Sequence, residues 1–208
     1  MAIDNVVFDL GGVLIDWNPR YVYRTMFDDE QSMERFLTEI CSSEWNAQQD
    51  AGRSWAEAVN TLVAEHPEFE SHIRAYHERW TEMLGGPIAE TVDVLAELRQ
   101  AGVRLFALSN WSSETFVVAK ALPEYAFLDW FEAIVISGEV GLTKPDPGIF
   151  RHLLERNRLD PKRTLFVDDT PANIEAATAL GLPSIRFEGG ESLRAELRAR
   201  GLLNGRVA

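Results

Sequence analysis

Asp9, Asp168 and Asp169 are the residues around which chemistry can be built, because each closes a short apolar run. Val6-Val7-Phe8 precedes Asp9, and Leu165-Phe166-Val167 precedes the acid pair. Two further runs end similarly: Leu105 to Leu108 leads into Ser109-Asn110, and Ala133 to Ile136 leads into a longer loop carrying Lys144. Strands of one sheet would bring these three acids, a hydroxyl, an amide and a lysine to one crevice. Converging carboxylates do not all stay ionised without a cation among them, and oxygen ligands without His or Cys at matching places favour Mg²⁺. With a metal masking the charge, one carboxylate attacks phosphorus and forms a covalent acyl-phosphate that water then hydrolyses. Ser109, the backbone N–H groups after it and the Lys144 ammonium suit the equatorial phosphate oxygens.

The elements that must position these residues are legible from periodicity. Val6 to Phe8, Val103 to Leu108, Ala133 to Ile136, Thr164 to Val167 and Ser184 to Phe187 read as strands apolar on both sides of the pleat. Amphipathic stretches alternate with them at Pro87 to Gln100, Asp146 to Asn157, Pro171 to Ala179 and Glu191 to Arg200. This alternation predicts an α/β fold, a doubly wound parallel sheet covered on both faces, with ligands beyond the carboxyl ends of the strands. Residues 16–85 differ, because their apolar positions recur at helical spacing and no strand is evident. They are expected to form an inserted α-helical cap on a core of residues 1–15 and 86–208. Gly85-Gly86-Pro87 is expected to stop the last insert helix and serve as the return hinge.

Composition narrows the partners. The 208 residues hold 20 Lys+Arg against 33 Asp+Glu, a net charge of −13 that repels nucleic acid and anionic lipid surfaces. An anionic substrate, here a small phosphorylated metabolite, must be drawn in by a local metal, a lysine or oriented N–H groups. Cys41 is the single cysteine, which excludes an intrachain disulfide and a Cys-rich metal site. No secretory leader pattern and no membrane-spanning apolar run are evident, so a cytoplasmic location is expected. The sequence carries no legible signature of oligomeric state.

Four motifs stand in order: FDLGGVL around Asp9, LSN at Leu108 to Asn110, GLTKPDPGIF from Gly141 to Phe150, and FVDDTPANIEAA from Phe166 to Ala177. Over nearly the whole chain this resembles the haloacid dehalogenase superfamily of Asp-nucleophile hydrolases, which implies a Rossmann-like core with a mobile helical cap. The resemblance implies Asp9 as nucleophile and metal ligand, with the Gly11 carbonyl and Asp169 completing the protein's Mg²⁺ ligands. It implies Asp168 and Asn173 as their supports, the latter holding metal-bound water. Ser109, the N–H of Asn110 and Lys144 would bind the transferring phosphoryl group. Trp17, Trp45 and Trp111 are candidate walls of the crevice, while Trp55 and Trp80 fit a packed core.

One departure matters. Phosphatases of this superfamily usually carry a second Asp two positions after the nucleophile, as acid to the leaving group and base to water, whereas this chain has Gly11. Bacterial glucose-1-phosphate phosphatase-like proteins resemble it in this respect. Leaving groups such as sugar 1-phosphates or aryl phosphates would suffer least, and Asp16, Glu44 or Asp50 could substitute. Two alternatives remain open. A 2-haloacid dehalogenase would use Asp9 to attack carbon, but such enzymes have an aromatic at the place of Gly11, Thr at Val13, Ser within the Asp168-Asp169 pair and Tyr at Phe150. A binding or regulatory protein that has lost turnover through Gly11 is the other.

Overall fold

Continuous apolar runs become strands here because helices cover both of their faces. The computed structural model describes residues 2–203. The chain enters through β1 (Asn5–Phe8), turns into β2 (Ile15–Trp17), runs through α1 (Arg20–Tyr23), α2 (Glu30–Glu39), α3 (Ser43–Asp50), α4 (Trp55–Glu65) and α5 (Glu70–Glu78), and returns along β3 (Leu84–Pro87). It continues as α6 (Ala89–Gln100), β4 (Arg104–Ser109), α7 (Ser113–Lys120), β5 (Ala133–Ile136), α8 (Ser137–Val140), α9 (Pro147–Asn157), β6 (Thr164–Asp168), α10 (Pro171–Ala179), β7 (Ser184–Arg186) and α11 (Gly190–Ala199).

Five strands form one sheet in the order β5-β4-β1-β6-β7, with every pairing parallel. Side chains alternate between the faces, as the period of two requires. Val6, Phe8, Leu105, Leu165 and Val167 pack with Leu95 and Leu98 of α6 and Leu193 and Leu197 of α11. Val7, Phe106, Leu108 and Phe166 face the other way, onto Ile149, Phe150 and Leu153 of α9 and Ala177 of α10. β1 is central: the chain moves outward through β4 and β5, then returns to place β6 on the other side of β1. That reversal of winding opens a crevice at the carboxyl ends of β1 and β6, the place where doubly wound sheets bind ligands.

The expectation of an uninterrupted helical insert needs correction. The helices do lie between β2 and β3, and α2, α3 and α4 start at side-chain caps from Asp29, Ser42 and Ser54. But α5 ends at Glu78, a 3₁₀ turn covers Trp80–Met83, and Gly85-Gly86-Pro87 belongs to β3, antiparallel to β2. Glycine is what lets the two strands approach, since a Cβ on Gly85 would lie 2.1 Å from Asp16 Oδ2. A strand of two glycines and a proline carries none of the β-branched signal by which strands are recognised. This hairpin spans both boundaries drawn between core and insert, while Met1 and residues 204–208 lie outside the described residues.

Candidate active site

The carboxyl ends of β1, β4 and β6 bring the expected groups together. Asp9 directly follows β1, Ser109 ends β4, Asp168 ends β6, and Lys144 reaches in from the loop between α8 and α9. Asp9 Oδ1 accepts hydrogen bonds from the Leu10 N–H at 2.7 Å and from Ser109 Oγ at 2.9 Å. Lys144 Nζ stands 2.9 Å from Asp9 Oδ2 and 2.7 Å from Asp168 Oδ2. The Asn110 amide holds the Lys144 backbone from both sides, accepting from its N–H at 2.8 Å and donating to its carbonyl at 2.9 Å. Asn110 therefore positions the lysine loop with its side chain.

The acids differ in freedom. Asp168 is fully buried, and its carboxylate accepts from Lys144, the Thr170 N–H and Asn173 Nδ2. The Asn173 amide is thus directed at Asp168. Asp169 is exposed and has one hydrogen bond, from Thr170 Oγ1 to its Oδ1 at 3.2 Å. Its Oδ2 lies where a side chain on Gly12 would be, 2.7 Å from an added Cβ, and Gly12 has φ +73°, so only glycine serves there. Oxygen atoms of Asp9, Asp168 and Asp169 lie within 4.8 Å of one another. Three carboxylates against the single Lys144 ammonium leave a net negative site, and an oxygen-only donor set of this charge fits a hard divalent cation.

Burial pushes the Asp9 carboxyl up to about 6, with Lys144 pulling it down and Asp168 pushing it further up. Burial works against the Lys144 charge, but Asp9 and Asp168 together raise it above the ordinary lysine value. The lysine stays cationic, and added positive charge would favour the ionised form of Asp9.

Beside this cluster, insert and core line a partly open cavity of about 100 Å³. Gly11 and Asn110 form part of its floor, and Trp17, Trp55, Trp80 and Trp111 form its walls. Of the candidate replacement acids, only Asp50 lines it. Burial pushes the Asp50 carboxyl up to about 7; the Ser112 N–H opposes the rise and the Asp9 charge adds to it. Asp16 instead accepts from the Tyr21 hydroxyl at 2.6 Å beside the hairpin, and Glu44 is exposed on α3. Trp45 does not wall the crevice, because it packs edge-on against Trp55 and Tyr76 behind the wall. Trp55 and Trp80 are buried and face the cavity at once, which helical periodicity cannot distinguish from simple core packing.

Ser137 carried no signal in the sequence, yet it ties insert to core. Its Oγ donates to the Asp50 carbonyl at 2.5 Å and accepts from the Trp111 N–H at 2.9 Å. Trp55 Nε1 donates to Ser112 Oγ at 3.0 Å, so the insert is held over the core by groups next to the Ser109-Asn110 turn.

Residues 3–181 match the family model of haloacid dehalogenase-like hydrolases. The chain belongs to that family. A sesquiterpene phosphatase of Aspergillus oryzae is 28% identical over 92% of this chain and 93% of its own length. A D-ribitol-5-phosphate phosphatase of Bacteroides thetaiotaomicron is 25% identical over 94% of this chain and 97% of its own. Among solved structures, a haloacid dehalogenase family enzyme of the same bacterium in complex with magnesium and inorganic phosphate aligns with TM-score 0.70 and 28% identity, covering 92% of this chain and 99% of that one. An L-2-haloacid dehalogenase of Xanthobacter autotrophicus aligns with TM-score 0.64 at 20% identity, covering 99% of this chain and 84% of that one, a likeness of fold alone. As a haloacid dehalogenase-like hydrolase, the chain has its Asp9 cluster where the fold's switch-point crevice lies. No described helix is long and apolar enough to cross a membrane.

Proposed function

We propose that this hydrolase cleaves small phosphomonoesters in a Mg²⁺-dependent reaction through a phospho-aspartate on Asp9. The observation that carries this is the juxtaposition of Asp9, its hydrogen-bond donor Ser109 and its ion-pair partner Lys144 with the Asp168-Asp169 pair. Asp9, the Gly11 carbonyl and Asp169 would hold the metal, because the Asp168 oxygens are engaged by Lys144, Thr170 and Asn173. When bound, Mg²⁺ neutralises the carboxylates and the incoming phosphate and favours the ionised form of Asp9.

Lys144, Ser109 and the N–H of Asn110 orient the phosphoryl group for attack by the Asp9 carboxylate. As the Asp9–phosphorus bond forms, the ester P–O bond breaks and the alkoxide takes a proton from Asp50. Water then attacks phosphorus, giving its proton to Asp50 and releasing phosphate and free Asp9. Asp50 suits this role because its titration near neutral pH lets it give and recover a proton.

The sesquiterpene phosphatase and the ribitol-5-phosphate phosphatase both support a phosphomonoester substrate. The latter also supports a sugar-phosphate type, whereas the former supports an apolar alcohol. Attack on carbon in a haloacid is the less favoured alternative, because Asp168 and Asp169 would face a carboxylate substrate without a metal to offset them. The test measures phosphate and halide release from p-nitrophenyl phosphate, glucose 1-phosphate and 2-chloropropionate, with Mg²⁺ and with EDTA. Phosphate release abolished by EDTA is expected; metal-independent halide release would replace the proposal with carbon attack.

A further inference from the structure

We infer that the tryptophan-lined cavity selects phosphomonoesters whose organic group is compact and apolar, an aryl or short branched-chain alcohol rather than a polyol. This rests on the phosphatase proposal and concerns what lies beyond the phosphoryl group.

Four indole rings wall the space. Trp80 and Trp111 lean on each other with centroids 5.6 Å apart, and Trp111 meets Phe116 edge-on at 5.6 Å. Trp55 is stacked on Tyr76 at 5.6 Å and on His77 at 5.1 Å. Rings packed from behind cannot swing aside, so the wall is preformed and its apolar faces stay turned to the ligand.

Most of the polar side chains around the cavity are already hydrogen-bonded within the protein. Trp111 Nε1 donates to Thr115 Oγ1 at 3.2 Å, and Trp55 Nε1 donates to Ser112 Oγ. The Asn110 amide holds the Lys144 backbone, and Asn46 Nδ2 donates to Asp50 Oδ2 at 3.2 Å. Trp17 Nε1 is buried without a partner among the described residues, and such isolated indole N–H groups could serve a ligand oxygen but not a chain of hydroxyls. A polyol would bury hydroxyls without matching partners, each at a cost in binding, while an apolar group would gain from every ring it touches. A dry cavity of roughly 150 Å³ accepts a benzene ring. The space here, about 100 Å³ and partly open to solvent, matches a compact group held against the rings, with any longer remainder extending into water.

The experiment compares benzyl phosphate with glycerol 1-phosphate, both primary alkyl esters, so that the ratio of kcat/KM reads the cavity more than leaving-group chemistry. Acetyl phosphate with Mg²⁺ serves as a substrate with almost no organic group. Since one methylene in an apolar pocket is worth about tenfold or more, the benzyl ester should be preferred by at least about tenfold. In Trp17→Gln and Trp80→Gln that ratio should fall at least about fivefold, since each change removes apolar wall. The ratio is taken within one preparation, so partial misfolding lowers both rates and leaves it unchanged. Acetyl phosphate turnover with a ratio near one, or favouring glycerol, overturns the inference and leaves the phosphatase proposal standing. Failure of all three esters overturns both.

Discussion

Replacing Gly11 by Asp tests whether the site lacks only a well-placed acid. The backbone there has an ordinary φ, and a Cβ built on Gly11 meets no heavy atom within 4 Å, so a side chain can start there without a clash at Cβ. Gly11 borders the cavity that receives the leaving group, which places a new carboxyl beside the scissile bond. A positioned general acid is worth roughly 10²–10⁴-fold. Asp50 already borders the same cavity, so the gain should fall at the lower end, about 10²-fold in kcat for benzyl phosphate, whose alkoxide needs a proton. p-Nitrophenyl phosphate leaves without one and should gain less than about threefold. The assay is steady-state phosphate release from both esters at saturating Mg²⁺, with thermal melting as a check on folding. Equal gains on both esters, or no gain in a variant that melts like the parent, would refute the reasoning.

Three further variants have outcomes set by the geometry. Asp50→Asn should slow benzyl phosphate about 10–100-fold and abolish the decline in rate as pH rises through about 7, because the acid form is the proton donor. The same variant should be more stable at neutral pH: Asp50 ionises near 3.8 when unfolded and at about 7 when folded, so the folded state loses stability as pH rises between them, by at most about 4 kcal/mol, and Asn removes that loss. Melting curves at pH 5 and 7.5 read this directly. Lys144→Met should destabilise the metal-free protein by about 3–5 kcal/mol, a fall on the order of 10 °C in melting temperature, because Asp9 and Asp168 lose their buried cation. Asp169→Asn should shift the Mg²⁺ titration of activity to higher concentration, and an unshifted titration would remove it from the ligands.

The clustered polar groups were legible because strand ends are local: an apolar run followed at once by Asp9, Ser109 or Asp168 states both the element and the end at which these groups meet. The antiparallel β2–β3 pair was not legible, since Leu84 to Pro87 pairs through backbone and offers almost no side-chain pattern. Trp55 and Trp80 were legible as buried, but which side of a buried ring faces a cavity depends on how insert meets core, and nothing within one helix encodes that. Ser137 is the extreme case. Its bond to the Asp50 carbonyl joins residues 87 positions apart, and a lone serine at the end of a strand has no distinguishing spacing. Asp50 stood out only as an acid in a polar stretch; its bond from Asn46 is a local contact four residues apart on one helix, but its place in the cavity that Gly11 also lines arises from the three-dimensional arrangement.

The central claim is covalent: Asp9 carries the phosphoryl group between two steps. Acid quenching during turnover, followed by borohydride reduction, converts a phospho-aspartate into homoserine, which mass spectrometry locates within the peptide chain. Homoserine at position 9, dependent on substrate and Mg²⁺ and absent from Asp9→Asn, is the predicted result. Phosphate release at full rate from Asp9→Asn, or an unmodified Asp9 with the acyl-phosphate found on another carboxylate, would contradict the account.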